Sequence, residues 1–350
     1  LLAYNALPGA TTPDIWSHQY DQQSNQISVS IAKRDWSSNF DDSNIYGFMP
    51  NFGCCLANMH QGWPKFVESM WMATNDNGLA LVTYGPSVVK AKVAKGNEVT
   101  ITEETDYPFK GSVKLSINTA KPVRFPIHLR IPGWADSVRI SYKNKTAVVK
   151  NETQFRINER WKNGDQITID IPLEIRVEKR FNNSLSVIRG PLYFSLRIGK
   201  EYKSIKNNYD NFAYKGSIDW AINPSGSWNF GLLIDPGNIR RGLKVAENPI
   251  GKYPFADKGD MIWSADSGKY QQWTGDAPVI ITARGIKIPE WTIKNNSADV
   301  PPMSPVNPVG DPEIITLVPY GCARLRITEF PVMDIVLMED VIRSSNPQTP

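Results

Sequence analysis

The sequence has no long apolar run, little net charge and few cysteines. No uninterrupted apolar stretch among its 350 residues approaches the ~18 residues that a membrane-spanning helix needs, so we expect no membrane insertion. The net charge is +4, from 39 basic and 35 acidic residues, and no block of lysine or arginine stands out, which argues against a nucleic-acid partner. Three cysteines are an odd number and exclude a complete disulfide framework. Hydrophobic residues make up 41% of the chain, which excludes a wholly disordered protein.

The chain also lacks an initiating methionine. Leu1-Leu2-Ala3 is followed directly by Tyr4, with no basic segment and no small-residue cleavage site, so the start is not an intact signal peptide. We expect a mature form or a fragment of a longer chain. The length, at about 150 residues per domain, predicts two or three domains.

One segment has the periodicity of an amphipathic helix. Its apolar residues recur every three or four positions: Leu56, Met59, Trp63, Phe66, Val67 and Met70. Pro64 lies within this segment and removes one backbone donor, which predicts a kink or two short helices. The turn-forming sequence Asn75-Asp76-Asn77-Gly78 predicts the end of the helical part. A lone helix cannot bury its apolar stripe against itself, so either it packs on a sheet or its natural partners are missing.

After residue 78 the period of the apolar residues changes to two, as in half-buried antiparallel strands. The alternating sets are Val113, Leu115 and Ile117; Val123, Phe125, Ile127, Leu129 and Ile131; and Ile167, Ile169 and Ile171, continuing through Leu173 and Ile175 to Val177. Strands with short turns over roughly 250 residues predict a mainly β fold with two β-sandwiches. A proline-rich connection spans 298–312, and two final strands are predicted at Glu313–Pro319 and Ala323–Thr328.

The most distinctive local sequence is Gly53-Cys54-Cys55, at the start of the predicted helix. Adjacent Cα atoms are ~3.8 Å apart, closer than the ~4.4–6.8 Å of a relaxed disulfide, so we expect two free thiols. A helix N-terminus stabilises anions, and two thiolates there form half of a soft-metal site, with zinc the first candidate. The alternative is two small buried residues that fill space. Cys322 is interpreted as structural, and without C-x-x-C or H-x-x-x-H spacing the sequence cannot complete a zinc site from cysteines alone.

A second candidate segment runs from Trp16 to Gln23. It combines aromatic rings, amides and His18, a composition suited to sugar binding because ring faces stack on sugars and amides bond to hydroxyls; the alternative is a surface loop. His60 lies on the cysteine-bearing helix, where it can face a cleft, whereas His128 is interpreted as an ordinary exposed strand residue. A pair of glycosidase-type carboxylates cannot be assigned. The undistinguished acids are Asp14, Asp21, Asp41, Asp42 and Glu68.

Six stretches follow one another through nearly the whole chain. They are Ala3-Tyr4-Asn5-Ala6-Leu7-Pro8, His18-Gln19-Tyr20-Asp21-Gln22-Gln23, the run from Asn51 through Gly53-Cys54-Cys55 to Lys65, Leu129-Arg130-Ile131-Pro132-Gly133-Trp134, Arg189-Gly190-Pro191-Leu192 and Val318-Pro319-Tyr320-Gly321. In this order they resemble the C-terminal part of glycoside hydrolase family 127, the β-L-arabinofuranosidase-type family. The resemblance implies that 1–75 is the C-terminal end of an (α/α)6 toroid, followed by two antiparallel β-sandwich domains. We assign 76–190 with 313–332 to the first sandwich, 191–312 to the second and 333–350 to a tail.

In that family zinc is bound by a glutamate and three cysteines, and the first cysteine of an adjacent pair is the nucleophile. The resemblance therefore implies that Cys54 is the nucleophile and a zinc ligand, that Cys55 is a second ligand, and that Tyr20 is an active-site tyrosine. His18 and His60 are the predicted substrate-binding residues. The remaining zinc ligands and a further active-site glutamate lie upstream in the family. Nothing in this sequence corresponds to them, so we expect most of the toroid to be absent.

The implied function is that of a zinc-dependent retaining exo-glycosidase releasing β-L-arabinofuranose or a related plant-polysaccharide sugar through a cysteine thiolate. Leu56-Ala57 replaces prolines that often follow the cysteine pair in the family, which indicates a different branch and leaves the exact sugar open. For the isolated chain we expect little activity, and its expected partners are a plant-type oligosaccharide and the missing toroid segment. The alternatives are a non-catalytic β-sandwich module and a zinc-free structural protein of the same fold. Because polysaccharide degraders are often exported, we expect a periplasmic or extracellular location.

Overall fold

The computed structural model describes residues 2–205, 218–235, 238, 242–307 and 309–333. The contacts between residues divide the chain into two units. One unit is Ala57–Glu174, and the other combines Leu1–Leu56 with Ile175–Pro350. The fold is mainly β, as predicted, with several antiparallel sheets. Within the described ranges, no helix is both long and apolar enough to cross a membrane.

The α-helices lie in the first 68 residues of the described chain. A π-helix, Leu2–Ala6, passes into α1, Leu7–Gly9, and the long helix is α2, Gly53–Glu68. Helix α2 confirms the amphipathic helix predicted from the sequence, and it continues as one element through Pro64 instead of dividing into two. Its apolar stripe is poorly covered, since Val67 is 54% exposed. The stripe residues that are half-buried are Met59, Trp63 and Phe66.

The unit Ala57–Glu174 contains ten strands. They are β1 (Trp71–Ala73), β2 (Leu79–Leu81), β3 (Ser87–Val93), β4 (Asn97–Thr105), β5 (Ser112–Thr119), β6 (Val123–Arg130), β7 (Val138–Tyr142), β8 (Lys145–Val149), β9 (Gln154–Trp161) and β10 (Gln166–Asp170). One sheet has the order β1-β2-β6-β9 and the other the order β3-β4-β5-β10-β7-β8. The β2–β6 pair is parallel, and the other neighbours are antiparallel.

The two sheets of this unit share a core, and the alternation of apolar residues predicted it. The alternate residues Val123, Phe125, Ile127 and Leu129 of β6 are all buried. Trp161, at the end of β9, is fully buried. Its ring lies 6.4 Å from the ring of Phe125 on the same sheet and 6.5 Å from that of Tyr142 on the other. The predicted β-sandwich is therefore present in this unit.

His128 belongs to a surface ion-pair cluster on the outer side of β6. Its Nε2 atom lies 3.1 Å from Asp76 Oδ2, and Arg156 Nε lies 2.9 Å from the same oxygen. A hydrogen bond from Thr74, together with those from Arg156 and His128, lowers the pKa of Asp76. The histidine that the sequence indicated as an ordinary exposed residue therefore has a structural partner.

The unit formed by Leu1–Leu56 and Ile175–Pro350 has thirteen strands within its described residues. They are β11 (Ile175–Lys179), β12 (Leu185–Arg189), β13 (Leu192–Leu196), β14 (Lys200–Ile205), β15 (Asp219–Pro224), β16 (Phe230–Leu232), β17 (Lys244–Glu247), β18 (Met261–Ser264), β19 (Lys269–Gln272), β20 (Val279–Lys287), β21 (Ile293–Lys294), β22 (Ser297–Ala298) and β23 (Glu313–Pro319). Seven form a sheet of order β11-β12-β13-β23-β20-β16, with β17 beside β20. The others pair as β14–β15, β18–β19 and β21–β22.

The pairing of the strands does not follow the domain boundaries that were predicted from the sequence. Strand β23 lies between β13 and β20, with Leu317 opposite Leu196 and Ile281, whereas 313–332 was expected to join the sandwich of 76–190. Strands β11 and β12 also belong to this sheet, so its first strand begins well before 191. Alternation decides which face of a strand is buried but not which strand it pairs with. In the segment predicted as a strand at Ala323–Thr328, one isolated bridge joins Arg326 to Gln26.

Two buried arginines after β23 hold the N-terminal segment in this unit. Arg326 donates to the Gly9 carbonyl and the Tyr46 hydroxyl, both at 3.0 Å. Arg324 donates to the Pro8 carbonyl at 2.8 Å. A buried guanidinium is costly unless its donors are paired, so these bonds fix the irregular segment 8–46, which carries Tyr20. Beyond Met333, the predicted tail 333–350 lies outside the described residues.

Candidate active site

The cysteine pair lies in the first turn of α2. Cys54 and Cys55 are both exposed and neither forms a disulfide. Their Sγ atoms are 3.9 Å apart, and the Cys55 amide donates to the Phe52 carbonyl at 3.1 Å. The expectation of two free thiols is confirmed. The alternative of two buried residues that only fill space is wrong, because both side chains face solvent.

The loop before α2 is shaped by Asn51 and Gly53. Asn51 has a φ of 57°, in the left-handed region that asparagine tolerates better than most residues. A Cβ atom at Gly53 would lie 2.7 Å from Met49 Cε, so glycine lets the chain pass close to this side chain. Because Cys54 and Cys55 follow at once, this loop determines where the thiols enter the helix.

Tyr20 reaches the cysteine pair from the irregular N-terminal segment. Its hydroxyl oxygen lies 3.8 Å from Cys55 Sγ, and its backbone amide donates to the Ser43 carbonyl at 3.1 Å. The hydrogen bond with Cys55 raises the pKa of Tyr20, so the phenol stays protonated as a donor toward the sulfur. The structure thus brings together Tyr20, Cys54 and Cys55, which the sequence had singled out. Their chemical roles stay predictions.

Two exposed phenylalanines, which the sequence did not single out, adjoin these residues. The Phe52 ring centroid lies 5.6 Å from that of Tyr20 and 5.7 Å from that of Phe40. Phe52 is 42% exposed and Phe40 is 65% exposed. We call Tyr20, Phe40, Phe52, Cys54 and Cys55 the thiol–aromatic cluster. Phe52 could have been found from its place just before Gly53, but Phe40 lies in a polar stretch without periodicity.

The amides of the segment from Trp16 to Gln23 are used inside the fold. Gln19 Nε2 donates to the Asn44 carbonyl at 2.6 Å, and Gln22 Nε2 donates to the Ala6 carbonyl at 3.0 Å. These bonds stabilise the segment and leave the two amides unsuited to sugar hydroxyls. Trp16, at 40% exposure, is the member whose ring remains accessible.

The two predicted substrate-binding histidines lie in different units. His18 is 5% exposed, and its backbone exchanges two hydrogen bonds with Gly47, at 2.8 and 2.9 Å. His60 is exposed on the part of α2 that belongs to Ala57–Glu174. Both substrate-binding roles stay predictions.

Three of the five acids have structural partners, among them Asp42, whose carboxylate accepts from the Asn51 amide at 3.4 Å. Asp14 accepts from the Trp263 amide at 2.6 Å. Asp21 accepts from the Ser37 hydroxyl at 2.5 Å and from the Asn39 amide group at 2.8 Å. These bonds give the acids structural roles and identify none of them as a general acid.

The cysteine pair has the spacing of two zinc ligands. A tetrahedral site with Zn–S distances of ~2.3 Å places two sulfurs about 3.8 Å apart, close to the observed 3.9 Å. Cys322 takes no part, because it is fully buried against Ala277 and Val318, as its structural interpretation predicted, and burial raises the pKa of its thiol. Across the described ranges, no group of three or more His, Cys, Asp or Glu side chains could hold a metal ion. The Cys54–Cys55 pair therefore fits two of the four ligand positions of a tetrahedral zinc site.

Comparisons with known proteins identify the class of this fold. Residues 78–173 match the family model of the beta-L-arabinofuranosidase GH127 middle domain. The crystal structure of a GH127 beta-L-arabinofuranosidase from Geobacillus stearothermophilus T6 has 18% identity and a TM-score of 0.55, covering 93% of this chain and 43% of that chain. A second GH127 beta-arabinofuranosidase has 18% identity and a TM-score of 0.58, covering 95% and 44%. A structure described as a glycoside hydrolase has 16% identity and a TM-score of 0.58, covering 95% and 47%. No curated protein matches the sequence.

The fold is similar to that of the glycoside hydrolase structures, with antiparallel β-sheets along most of the chain. More particularly, residues 78–173 match the middle domain of glycoside hydrolase family 127, which confirms for this segment the resemblance found in the sequence. The chain spans 43–47% of the length of the structures that it matches. The family segment lies within Ala57–Glu174, and the cysteine pair precedes it.

Proposed function

We propose that this chain is part of a zinc-dependent retaining exo-glycosidase that releases β-L-arabinofuranose or a related plant-polysaccharide sugar, with Cys54 as nucleophile. The observation that carries the proposal is the exposed thiol pair with the Tyr20 hydroxyl 3.8 Å from Cys55 Sγ. A family-127 middle domain in the same chain supports the sugar class. We further propose that the protein is exported.

Cys54 and Cys55 would hold the zinc ion in this proposal, because their sulfurs have the spacing of two tetrahedral ligands. Bound zinc would keep the thiol of Cys54 deprotonated at neutral pH. The other two ligands would come from the toroid segment of the whole protein, since the described residues supply no third ligand at this place.

In the reaction, the Cys54 thiolate attacks the anomeric carbon, and the bond from that carbon to the leaving oxygen breaks. The leaving oxygen takes a proton from a carboxylic acid outside this chain. Water then attacks the thioglycosyl carbon and displaces the thiolate, so the sugar leaves with its configuration retained. Tyr20 donates a hydrogen bond toward the Cys55 sulfur, and the exposed ring of Phe52 offers an apolar surface for the sugar.

The test is to trap the glycosyl group on the protein. A fluorinated aryl β-L-arabinofuranoside that is hydrolysed slowly should leave an adduct that peptide mass spectrometry places on Cys54. The matched variant is Cys55→Ser, which keeps the Cys54 thiol. Native mass spectrometry of the same material should give one zinc per complex and the mass of any accompanying polypeptide. Turnover that leaves the label on another residue would refute the nucleophile assignment.

The second candidate is a non-catalytic β-sandwich module that binds glycan or stabilises an enzyme. The family-model match covers the β-sandwich at 78–173 and not the cysteine pair, which favours it. The two candidates predict different spectra: a bare chain of 39.3 kDa without zinc supports the module, whereas a zinc-bearing complex with a second polypeptide supports the glycosidase.

A further inference from the structure

Two adjoining surface cavities in the unit formed by Leu1–Leu56 and Ile175–Pro350 share an aromatic wall. Their volumes are about 210 and 350 Å³, and both are lined by Tyr253 and Trp273. The two rings meet edge to face, with centroids 5.7 Å apart and an interplanar angle of 86°. We call these two residues the aromatic ridge. None of the residues of the thiol–aromatic cluster lines either cavity.

The lining of the cavities has the chemistry of a sugar site. Trp263 adds a third ring to the smaller cavity, and Gln271 and Gln272 add two exposed amides. Sugar rings stack their C–H faces on aromatic rings, and amides both donate to and accept from hydroxyls. Gln271 Nε2 donates to the Ser267 hydroxyl at 3.1 Å in an exposed contact, whereas the amides of Gln19 and Gln22 donate to backbone carbonyls.

The charges around the ridge are balanced. Lys252 and Asp266 line the smaller cavity with opposite signs, and the Lys252 ammonium lies 5.3 Å from the centre of the Tyr253 ring. Asp276, in the larger cavity, is paired with Arg197 at 2.9 Å and Lys258 at 3.5 Å. Because no net charge of either sign dominates, the lining suits a neutral ligand.

The backbone of the ridge is held rigidly. The Trp273 amide donates to the Asp260 carbonyl at 2.7 Å, and its carbonyl accepts from the Gly259 amide at 2.8 Å. The Asp260 carboxylate is fully buried, pairs with Lys200 and accepts from the Asp257 amide at 3.0 Å. A site built on a hydrogen-bonded backbone loses less conformational freedom on binding than one on a loose loop.

Two glycines leave the indole of Trp273 uncovered. A Cβ atom at Gly251 would lie 3.4 Å from Trp273 Cζ2, and one at Gly275 would lie 2.9 Å from its Nε1. Any larger residue at these positions would cover the ring or displace it. Trp273 therefore stays half-buried where an ordinary core tryptophan would be enclosed.

From these observations we infer that the aromatic ridge binds a neutral oligosaccharide, with one sugar in each of the two cavities. This site binds without reacting and needs none of the cysteine chemistry. The choice of an oligosaccharide as ligand rests in part on the proposed function, whereas the position of the site rests on the cavities and the ridge alone.

The test is calorimetric titration of the whole chain with two probes, a linear arabinofuranosyl hexasaccharide and cellohexaose. At least one probe should bind below about 10 mM. Trp273→Ala should weaken that binding by about tenfold or more. Gly251→Leu, which places a side chain over the indole from an exposed backbone position, should weaken it as well without removing a core residue. The matched control is Trp134→Ala, which removes a half-buried tryptophan of the unit Ala57–Glu174 and should leave binding unchanged.

Circular dichroism and the midpoint of thermal unfolding establish that each variant is folded. If Trp273→Ala does not fold, the oligosaccharide affinity of Gly251→Leu tests the aromatic ridge instead. The inference is overturned if neither probe binds, if both ridge variants bind like the wild type, or if Trp134→Ala loses binding equally. The same titration on Cys54→Ser separates the two proposals. If oligosaccharide binding is retained but the trapped label is not on Cys54, the aromatic-ridge proposal stands and the nucleophile assignment fails. If the label is on Cys54 but no oligosaccharide binding is measured, only the aromatic-ridge proposal is overturned.

Discussion

One buried carboxyl should make the unit Ala57–Glu174 less stable as the pH rises through neutrality. Glu103 is 2% exposed and accepts hydrogen bonds from the Gly85 amide at 3.0 Å and the Ser87 hydroxyl at 2.7 Å. Burial raises its pKa from the ordinary value of 4.5 to about 7. These donors and the Trp71 indole, all of them neutral, replace only part of the hydration that the carboxylate loses.

The magnitude follows from the difference between the two pKa values of Glu103. The folded state binds the proton more tightly than the unfolded state, so the stabilisation is complete below pH 4.5 and is lost as the pH rises through about 7. At 1.36 kcal/mol per unit, a difference of about 2.5 units corresponds to about 3 kcal/mol. Because pH 5 lies slightly above the unfolded pKa, we expect the free energy of unfolding to fall by about 2.5 kcal/mol between pH 5 and pH 8 on account of this group.

Urea unfolding at pH 5, 6.5 and 8 measures this dependence, and Glu103→Gln should remove most of it because the amide does not ionise. The matched control is Glu104→Gln, since the Glu104 side chain is 60% exposed and forms a surface ion pair with Lys114 at 3.3 Å. A surface pair of this kind contributes about 0–1 kcal/mol, so the control should follow the wild-type curve. If Glu103→Gln keeps the wild-type dependence on pH, the reasoning is refuted.

Three further predictions concern the site and its support. If the proposed function holds, Cys54→Ser should abolish turnover of an aryl β-L-arabinofuranoside by the whole protein, because a hydroxyl is a far poorer nucleophile and zinc ligand; a normal rate would contradict the assignment. Tyr20→Phe should lower the rate without changing the midpoint of thermal unfolding, since it removes only the exposed contact between the Tyr20 hydroxyl and Cys55 Sγ. Unchanged kinetics would limit Tyr20 to packing. Arg326→Met should lower the free energy of unfolding by about 2–4 kcal/mol, because it removes four hydrogen bonds of a buried guanidinium. The exposed change Arg284→Met should cost under about 0.5 kcal/mol, and equal urea midpoints for the two variants would count against the anchoring role.

The strands of Ala57–Glu174 could be predicted from the sequence because burial there alternates residue by residue. Ile167 and Ile169, two positions apart on β10, are both fully buried. The partner of β23 could not be predicted in the same way. Leu317 lies opposite Leu196 and Ile281, which are distant in sequence, and the alternation within one strand carries no information about its neighbours.

Only part of the candidate site could be predicted from the sequence, for a related reason. Cys54 and Cys55 are adjacent in the chain, so their proximity needs no knowledge of the fold. Phe40 joins them through an irregular segment whose path depends on bonds to distant residues, among them the buried Arg326. Composition also misled at Gln19, because an amide that suits a sugar hydroxyl suits a buried carbonyl equally well.

The family match and the candidate chemistry come from different parts of the chain. The matched segment 78–173 is a β-sandwich, and a fold of this type supports many functions, so its presence does not by itself carry a reaction. The case for thiolate chemistry depends on local geometry before that segment: two exposed sulfurs 3.9 Å apart and the Tyr20 hydroxyl 3.8 Å from the second. For that reason the exchange of Cys54, rather than any further likeness of the sandwich, decides between the glycosidase and the non-catalytic module.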